Sequence, residues 1–191
     1  MNILETPRLA LRPLVEADAG RLFEIYREPD VHTYFAVGPP ESVSEASAAI
    51  RRHLLRYEEW GFGLWATVLR ETNKLIGRCG LLLHNIDGAQ EIEIAYLISR
   101  AHWGRGFAGE AARGIRDYGF GQLKQEKLIA IIHADNERSK HVARAIGMVH
   151  ERRTRHLQLD VDIFSICRPA FFFPMRMCHP NSAAGSTKLI G

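Results

Sequence analysis

The chain has 191 residues, 46% hydrophobic and 25% charged, enough for one domain with a substantial core, and its net charge of +3 is too small to mark a nucleic-acid binder. Three cysteines (Cys79, Cys167, Cys178) without a C-x-x-C pair argue against a disulfide framework, and nine scattered histidines show no metal-ligand spacing. MNILETPRLALRPL lacks the apolar core of a signal peptide and no run approaches a membrane span of ~20 apolar residues, so a cytoplasmic protein with no membrane partner is expected.

RLALRPL alternates apolar and basic residues, as a half-buried strand does. Glu16 to Glu28 places Ala19, Leu22, Phe23 and Tyr26 at helical spacing, and Pro29 ends the run. PDVHTYFAVGPPE is a loop by its prolines and glycine, and Ser42 to Trp60 is a second helix with Ala46, Ile50, Leu54 and Tyr57 along one stripe. LWATVLR and KLIGRCGLLLH read as strands joined by ETN, and IDGA separates them from a third, EIEIAYLIS. Phe107 to Leu123 is helical, with Ala108, Ala111, Ala112, Ile115 and Tyr118 available for packing. KLIAIIH is nearly all apolar, as a strand covered on both faces would be. Glu137 to Ile146 is a further helix, closed by Gly147 where a left-handed cap is common. MVHERRT and VDIFSIC finish the domain, and the basic stretch HERRTRH, 150–156, reads as a solvated edge. The order β-α-α-β-β-β-α-β-α-β-β gives a mixed α/β (α+β) domain over 1–168, followed by an atypical tail over 169–191.

Gly104-Arg105-Gly106-Phe107-Ala108-Gly109 matches G-x-G-x-x-G, the dinucleotide fingerprint, with Asp135 as a ribose partner. Three features oppose that reading. RAHW separates the strand from the first glycine, Glu91 and Glu93 give the strand a polar face, and too little chain follows for a doubly wound sheet. The glycines at a helix start still fit a pyrophosphate, because they let backbone N–H groups approach it and the helix dipole favours its charge. A tight strand-to-helix turn without a ligand is the structural alternative.

WGRGFAGEA after EIEIAYLIS resembles the acetyl-coenzyme A loop of the GNAT acetyltransferases, [Q/R]-x-x-G-x-[G/A], with Gly104 and Gly106 at its two small positions and Ala101 in place of the Gln or Arg. That departure is found in the branch similar to ribosomal-protein-alanine N-acetyltransferases. ETPRLALRPLVEADAGRLFEIYREPDV, GFGLWATV, KLIGRCGL, ADNERSKHVARAIGM and VDIFSI resemble further segments of the same branch, in order, over residues 5 to 167. The resemblance implies a GNAT fold, a mixed and mostly antiparallel sheet flanked by helices. It implies direct acetyl transfer from acetyl-CoA to a primary amine, on a small molecule or a protein N-terminus, by a monomer or homodimer. A non-catalytic acyl-CoA sensor is the rival within the family.

The resemblance also implies roles. The backbone of Arg105, Gly106, Phe107, Ala108 and Gly109 would hold the pyrophosphate, and Tyr96, Leu97 and Ile98 would meet the pantetheine arm as an added strand does. The Leu97 N–H, within one residue, would polarise the thioester carbonyl. Glu93 stands where the family pattern EIGY carries its glutamate and is the expected base, with Glu91 on the same face as fallback and a solvated strand glutamate as the alternative. Asn136 would contact the pantetheine arm and Ser139 would lie near the sulfur, while both also read as a helix start. Apart from the resemblance, Lys140 and Arg144 near that helix start read either as partners of the adenosine 3′-phosphate or as solvated surface cations, and Glu110 in the first turn of its helix as a complement to the dipole.

The acceptor pocket is expected from the loop between the first helices and from later strands, with Tyr34, Phe35 and Trp65 as its residues and His32 and Phe62 nearby. These lack a carboxylate cluster, so a polycation is not favoured. In the tail, AFFFPM is expected to pack on the core and AAGSTKLIG to be mobile.

Overall fold

In chain order the structure, a computed structural model describing residues 2–169, contains β1 (Leu4–Glu5), β2 (Leu9–Pro13), α1 (Ala19–Tyr26), α2 (Val43–Trp60), β3 (Leu64–Leu69), β4 (Leu75–Ile86) and β5 (Ala89–Ile98). It continues with α3 (Phe107–Gly121), β6 (Lys127–His133), α4 (Glu137–Ala145), β7 (Val149–His156) and β8 (Leu159–Cys167). The tail expectations for residues 170–191 lie outside the described residues.

The elements follow the sequence reading, with local differences. β1 has two residues, too few to show a period. α1 starts at Ala19 because Asp18 turns back: it accepts from the Val15 N–H at 3.0 Å and pairs bidentately with Arg12, leaving Glu16–Asp18 as a 3-10 turn. Ser42 caps α2 by accepting from the Glu45 N–H, and Gly61, at φ +74°, ends it. Asp87 and Gly88 both have positive φ, the signature of a two-residue type I′ turn, so β4 and β5 form one long hairpin with Ile86 opposite Ala89.

All strands join one sheet in the order β1-β2-β3-β4-β5-β6-β8-β7. Every pairing is antiparallel except β5 with β6, which is parallel and meets at a single pair, Glu93 opposite Ile129. β7, carrying HERRTRH, lies at the sheet edge.

Strand alternation divides the core between two faces. One face packs Ile94, Ile98, Trp65 and Leu11 against Phe107, Ala111, Ala112 and Ile115 of α3 and Ala143 of α4. The other packs Leu64, Ala66 and Val68 against Ala19 and Leu22 of α1 and Ala46 and Ile50 of α2. Each side chain of β5 is therefore assigned a face by its parity.

A buried ion cluster fixes α4 to the sheet. Asp162 of β8, 3% exposed, pairs with Lys140 at 2.9 Å and with Arg153 at 2.8 Å, and lies 3.3 Å from His150 Nε2. Lys140 also bonds Glu137 and the Ala134 carbonyl. The Arg153 hydrogen bond, with help from Lys140 and His150, outweighs burial and holds the Asp162 carboxyl well below the usual aspartate range.

Replacing Asp162 by Asn is expected to cost on the order of 2 kcal/mol at neutral pH, read by urea unfolding. The folded chain binds the Asp162 proton more weakly than the unfolded chain does. The stabilisation is therefore complete above the ordinary aspartate range and fades as pH falls towards the depressed folded value, so wild type and Asp162→Asn should converge in acid.

Candidate active site

The candidate site begins where the β5–β6 ladder ends, after the Glu93–Ile129 pair. The Ser99 N–H donates to the Ile76 carbonyl at 2.7 Å, so main-chain groups of Ser99 and, two residues back, Leu97 face β4. The same orientation leaves the Leu97 carbonyl so close to Gly77 that a Cβ there would sit 2.1 Å from it. Tyr96 and Ile98 consequently turn their main-chain groups to the β6 side, beyond the single Glu93–Ile129 pair. By this alternation the Leu97 N–H faces β4, whereas those of Tyr96 and Ile98, within the one residue allowed for the expected donor, face the gap. Ile98 also accepts at its carbonyl from Trp103 Nε1 at 2.7 Å.

The glycine loop lies just past this gap. Gly104 and Gly106 adopt φ +72° and +79°, and Gly106 is the N-cap of α3. Among the described residues no side chain caps that helix, and the first-turn N–H groups of Phe107, Ala108 and Gly109 have no intrahelical partners at its positive end. Arg105 is exposed beside them. Phe107 contributes its backbone here, while its ring is buried under the Arg8 guanidinium, 4.4 Å from the ring centre.

Two clamps hold the loop. Glu110 accepts from Thr6 Oγ1 at 2.6 Å and from the Arg8 N–H and Nε at 2.8 and 2.6 Å, while Arg8 Nη1 donates to the Arg105 carbonyl at 3.0 Å. Burial works against the Glu110 charge, but these donors outweigh it and hold the carboxyl below its ordinary value. Glu110 is thus a structural tie to the β1–β2 turn. At the other end, Glu28 accepts from Ser99 Oγ at 2.8 Å and from the Arg100 N–H. The sequence reading assigned no role to Glu28, whose partner is 71 residues away.

Across the gap, Asn136 is the N-cap of α4 and accepts from the Ser139 N–H at 3.1 Å. Tyr96 Oη donates to the Ser139 carbonyl at 3.0 Å, and burial raises the phenol above its ordinary range. Tyr96 therefore bridges β5 to α4. Lys140, expected near a phosphate, is 6% exposed and committed to Asp162, Glu137 and Ala134, which corrects that expectation. Arg144 is exposed.

On the opposite face, Glu93 lies 2.8 Å from His84 Nε2, with its side chain 14% exposed. His84 in turn meets the edge of His156, ring centres 5.4 Å apart. Burial, followed by His84, lowers the His156 pKa. Glu91, the fallback base, is tied to Lys127 at 2.9 Å. His84 was missed, although the D-G turn sets the register that places it diagonally from Glu93.

The α1–α2 loop covers this face: the Tyr34 ring lies 5.1 Å from that of His133 on β6, and Phe35 packs edge-on to His32. Trp65 does not join them. It is 1% exposed on the other side of the sheet, against Tyr118 of α3 and Tyr57, because β3 alternates Leu64, Ala66 and Val68 to one face and Trp65 to the other. Phe62 is likewise core, 7% exposed.

Residues 8–149 match the family model described as Acetyltransferase (GNAT) domain. The chain is 30% identical over 174 residues to an uncharacterised N-acetyltransferase, YoaA, of Bacillus subtilis (strain 168), covering 87% of this chain and 97% of that one. An acetyltransferase structure from Agrobacterium tumefaciens str. C58 superposes with a TM-score of 0.72 at 29% identity, covering 85% of this chain and 92% of the other. Spermidine N-acetyltransferase from Vibrio cholerae, solved with CoA and spermine, shares the fold with a TM-score of 0.70 at 21% identity, over 85% of this chain and 97% of that one. A splayed β5–β6 pair, an uncapped helix start behind two left-handed glycines and these matches agree: the chain belongs to the GNAT family and is an N-acetyltransferase.

Proposed function

We propose that the protein transfers the acetyl group of acetyl-CoA directly to a primary amine within a ternary complex, with Glu93 as the base. The observation that carries this reading is the position of one gap between two equipped faces. The glycine loop and α4 lie at its coenzyme side, and the Glu93–His84 pair lies on the opposite face of the same strand. The residues present fit the coenzyme: N–H groups of residues 107–109 suit a pyrophosphate, and main-chain groups of Tyr96 and Ile98 suit an extended pantetheine arm.

When bound, acetyl-CoA supplies an electrophilic thioester carbonyl and a sulfur leaving group. The protein supplies the rest. An alkylammonium, with a pKa of about 10, attacks only after losing a proton, and Glu93 takes it while His84 fixes the carboxylate. The Ile98 N–H, adjacent to the expected Leu97, is the proposed donor to the carbonyl oxygen, a contribution of ~3 kcal/mol for one such donor. Asn136 and Ser139 line the far side, with the Ser139 hydroxyl as the proposed proton donor to sulfur.

Glu93→Gln is expected to lower kcat by ~10²–10³-fold with the acetyl-CoA Kd unchanged, read by thiol release and calorimetry. Unchanged kcat would remove Glu93 from the mechanism, and coenzyme binding without turnover of any amine would replace the enzyme reading by a sensor. Gly106→Trp should abolish acetyl-CoA binding, because the residue needs φ +79° and a large side chain blocks approach to the loop backbone. Retained affinity would contradict the loop assignment.

A further inference from the structure

Arg78 is unexplained by the site described so far. It sits on β4 opposite Leu97, which by the hairpin register turns its side chain to the acceptor face. There its Nε donates to Tyr26 Oη at 2.5 Å, and its guanidinium carbon lies 5.6 Å from the centre of the Tyr26 ring and 6.0 Å from that of Phe35. A guanidinium has five N–H donors and stays charged, so this contact leaves both Nη groups available.

Several other arginines on this side of the molecule have acids. Arg12 pairs with Asp18, Arg21 with Glu24 and Glu28, and Arg100 with Asp30. Among the described residues, Arg78 has no carboxylate within ion-pair distance. It is nevertheless half-buried, where a charge is costly unless paired. Its neighbour His53 adds no compensating negative charge. His53 of α2 has an Nδ1 buried without a partner among the described residues, and burial, with repulsion from Arg78, Arg56 and Arg52, pushes its pKa down to about 3. The imidazole stays neutral beside a fixed cation.

The opposite polarity lies along the same face. Glu93 is four residues from Leu97, about 13 Å along the strand, with Ala95 and its neighbour Gly80 between them. The acceptor face thus has a cationic end at Arg78 and an anionic, proton-accepting end at Glu93. Resting on the acetyltransferase reading above, we infer that Arg78 is a carboxylate receptor and that the acceptor is a small amine carrying a carboxylate, of the amino-acid class, with enough chain between its amine and its carboxylate to reach both ends. Its amine is directed to Glu93 and its carboxylate to Arg78, where the planar fork accepts it bidentately while Tyr26 and Phe35 flank the guanidinium. A polyamine would place positive charge against Arg78 and is disfavoured.

The test measures kcat/KM with saturating acetyl-CoA for L-amino acids, their carboxamides and spermidine, alongside calorimetric titration of the same protein with acetyl-CoA. The wild type is expected to favour the best acid over its own amide by at least tenfold, and Arg78→Gln to remove that preference while its acetyl-CoA Kd is unchanged. Arg78→Lys should retain part of it, which separates charge recognition from simple packing. Equal rates for acid and amide, a preference for spermidine, or an acid preference that survives Arg78→Gln would overturn the inference. Should Arg78→Gln fail to fold, the wild-type acid-to-amide ratio decides alone. Failure of the wild type to bind acetyl-CoA would instead overturn the proposed function, so the two failures are distinguishable.

Discussion

Two parallel neighbours that meet at one residue pair are the constraint on which the site depends. β5 is held along its full length by β4, ten pairs from Ala89 to Ile98, but forms a ladder pair with β6 only at Glu93. A strand bonded on one side presents every second main-chain unit to the other. Beyond Glu93 those units belong to Tyr96 and Ile98, of which the Ile98 carbonyl is taken by Trp103, and leaving the others buried without partners costs roughly 1–3 kcal/mol each. An extended amide-bearing arm satisfies them as a missing strand would. The clamps at Glu28, Trp103 and Glu110 fix the outlet of this gap and hold the glycine loop in place, while Tyr96 and the Asp162 cluster fix its far wall.

The same strand separates two chemistries by parity. Even-numbered residues of β5 pack on the α3–α4 face with the loop, and odd-numbered ones face α1 and α2. Glu93 is therefore close in sequence to the coenzyme loop yet on the acceptor side of the sheet. Its pairing with His84, and that of His84 with His156, makes a polar cluster beside the apolar residues Ile129, Ile131 and Ile163. Carboxylate, imidazoles and Arg78 give this face an ordered polarity, which aromatic content alone does not reveal.

Most of the fold was legible because periodicity reports burial directly: helices α2 and α3 and strands β3 to β6 lie where their apolar spacing put them. The glycine loop was legible because its chemistry is local. Long-range pairings were not. Glu28 and Ser99, Thr6 and Glu110, and Lys140 and Asp162 are joined only by tertiary structure, so Lys140 read as a surface cation when it is a buried tie. Trp65 was misplaced for a different reason, since an aromatic on a strand can point to either face and the neighbours Leu64 and Ala66 did not discriminate. His84 and Arg78 were recoverable in principle: once Asp87-Gly88 is read as a two-residue turn, counting back along the hairpin puts them on the face of Glu93 and Leu97.

Amide hydrogen exchange resolved by residue in NMR, without and with coenzyme A, tests the central claim most directly. The account predicts that coenzyme A slows exchange at Tyr96 and Ile98 and at Phe107, Ala108 and Gly109, while Leu97, already facing β4, changes little. Protection confined to other strands, with Tyr96 and Ile98 unaffected, would contradict the assignment of the β5–β6 gap as the coenzyme channel.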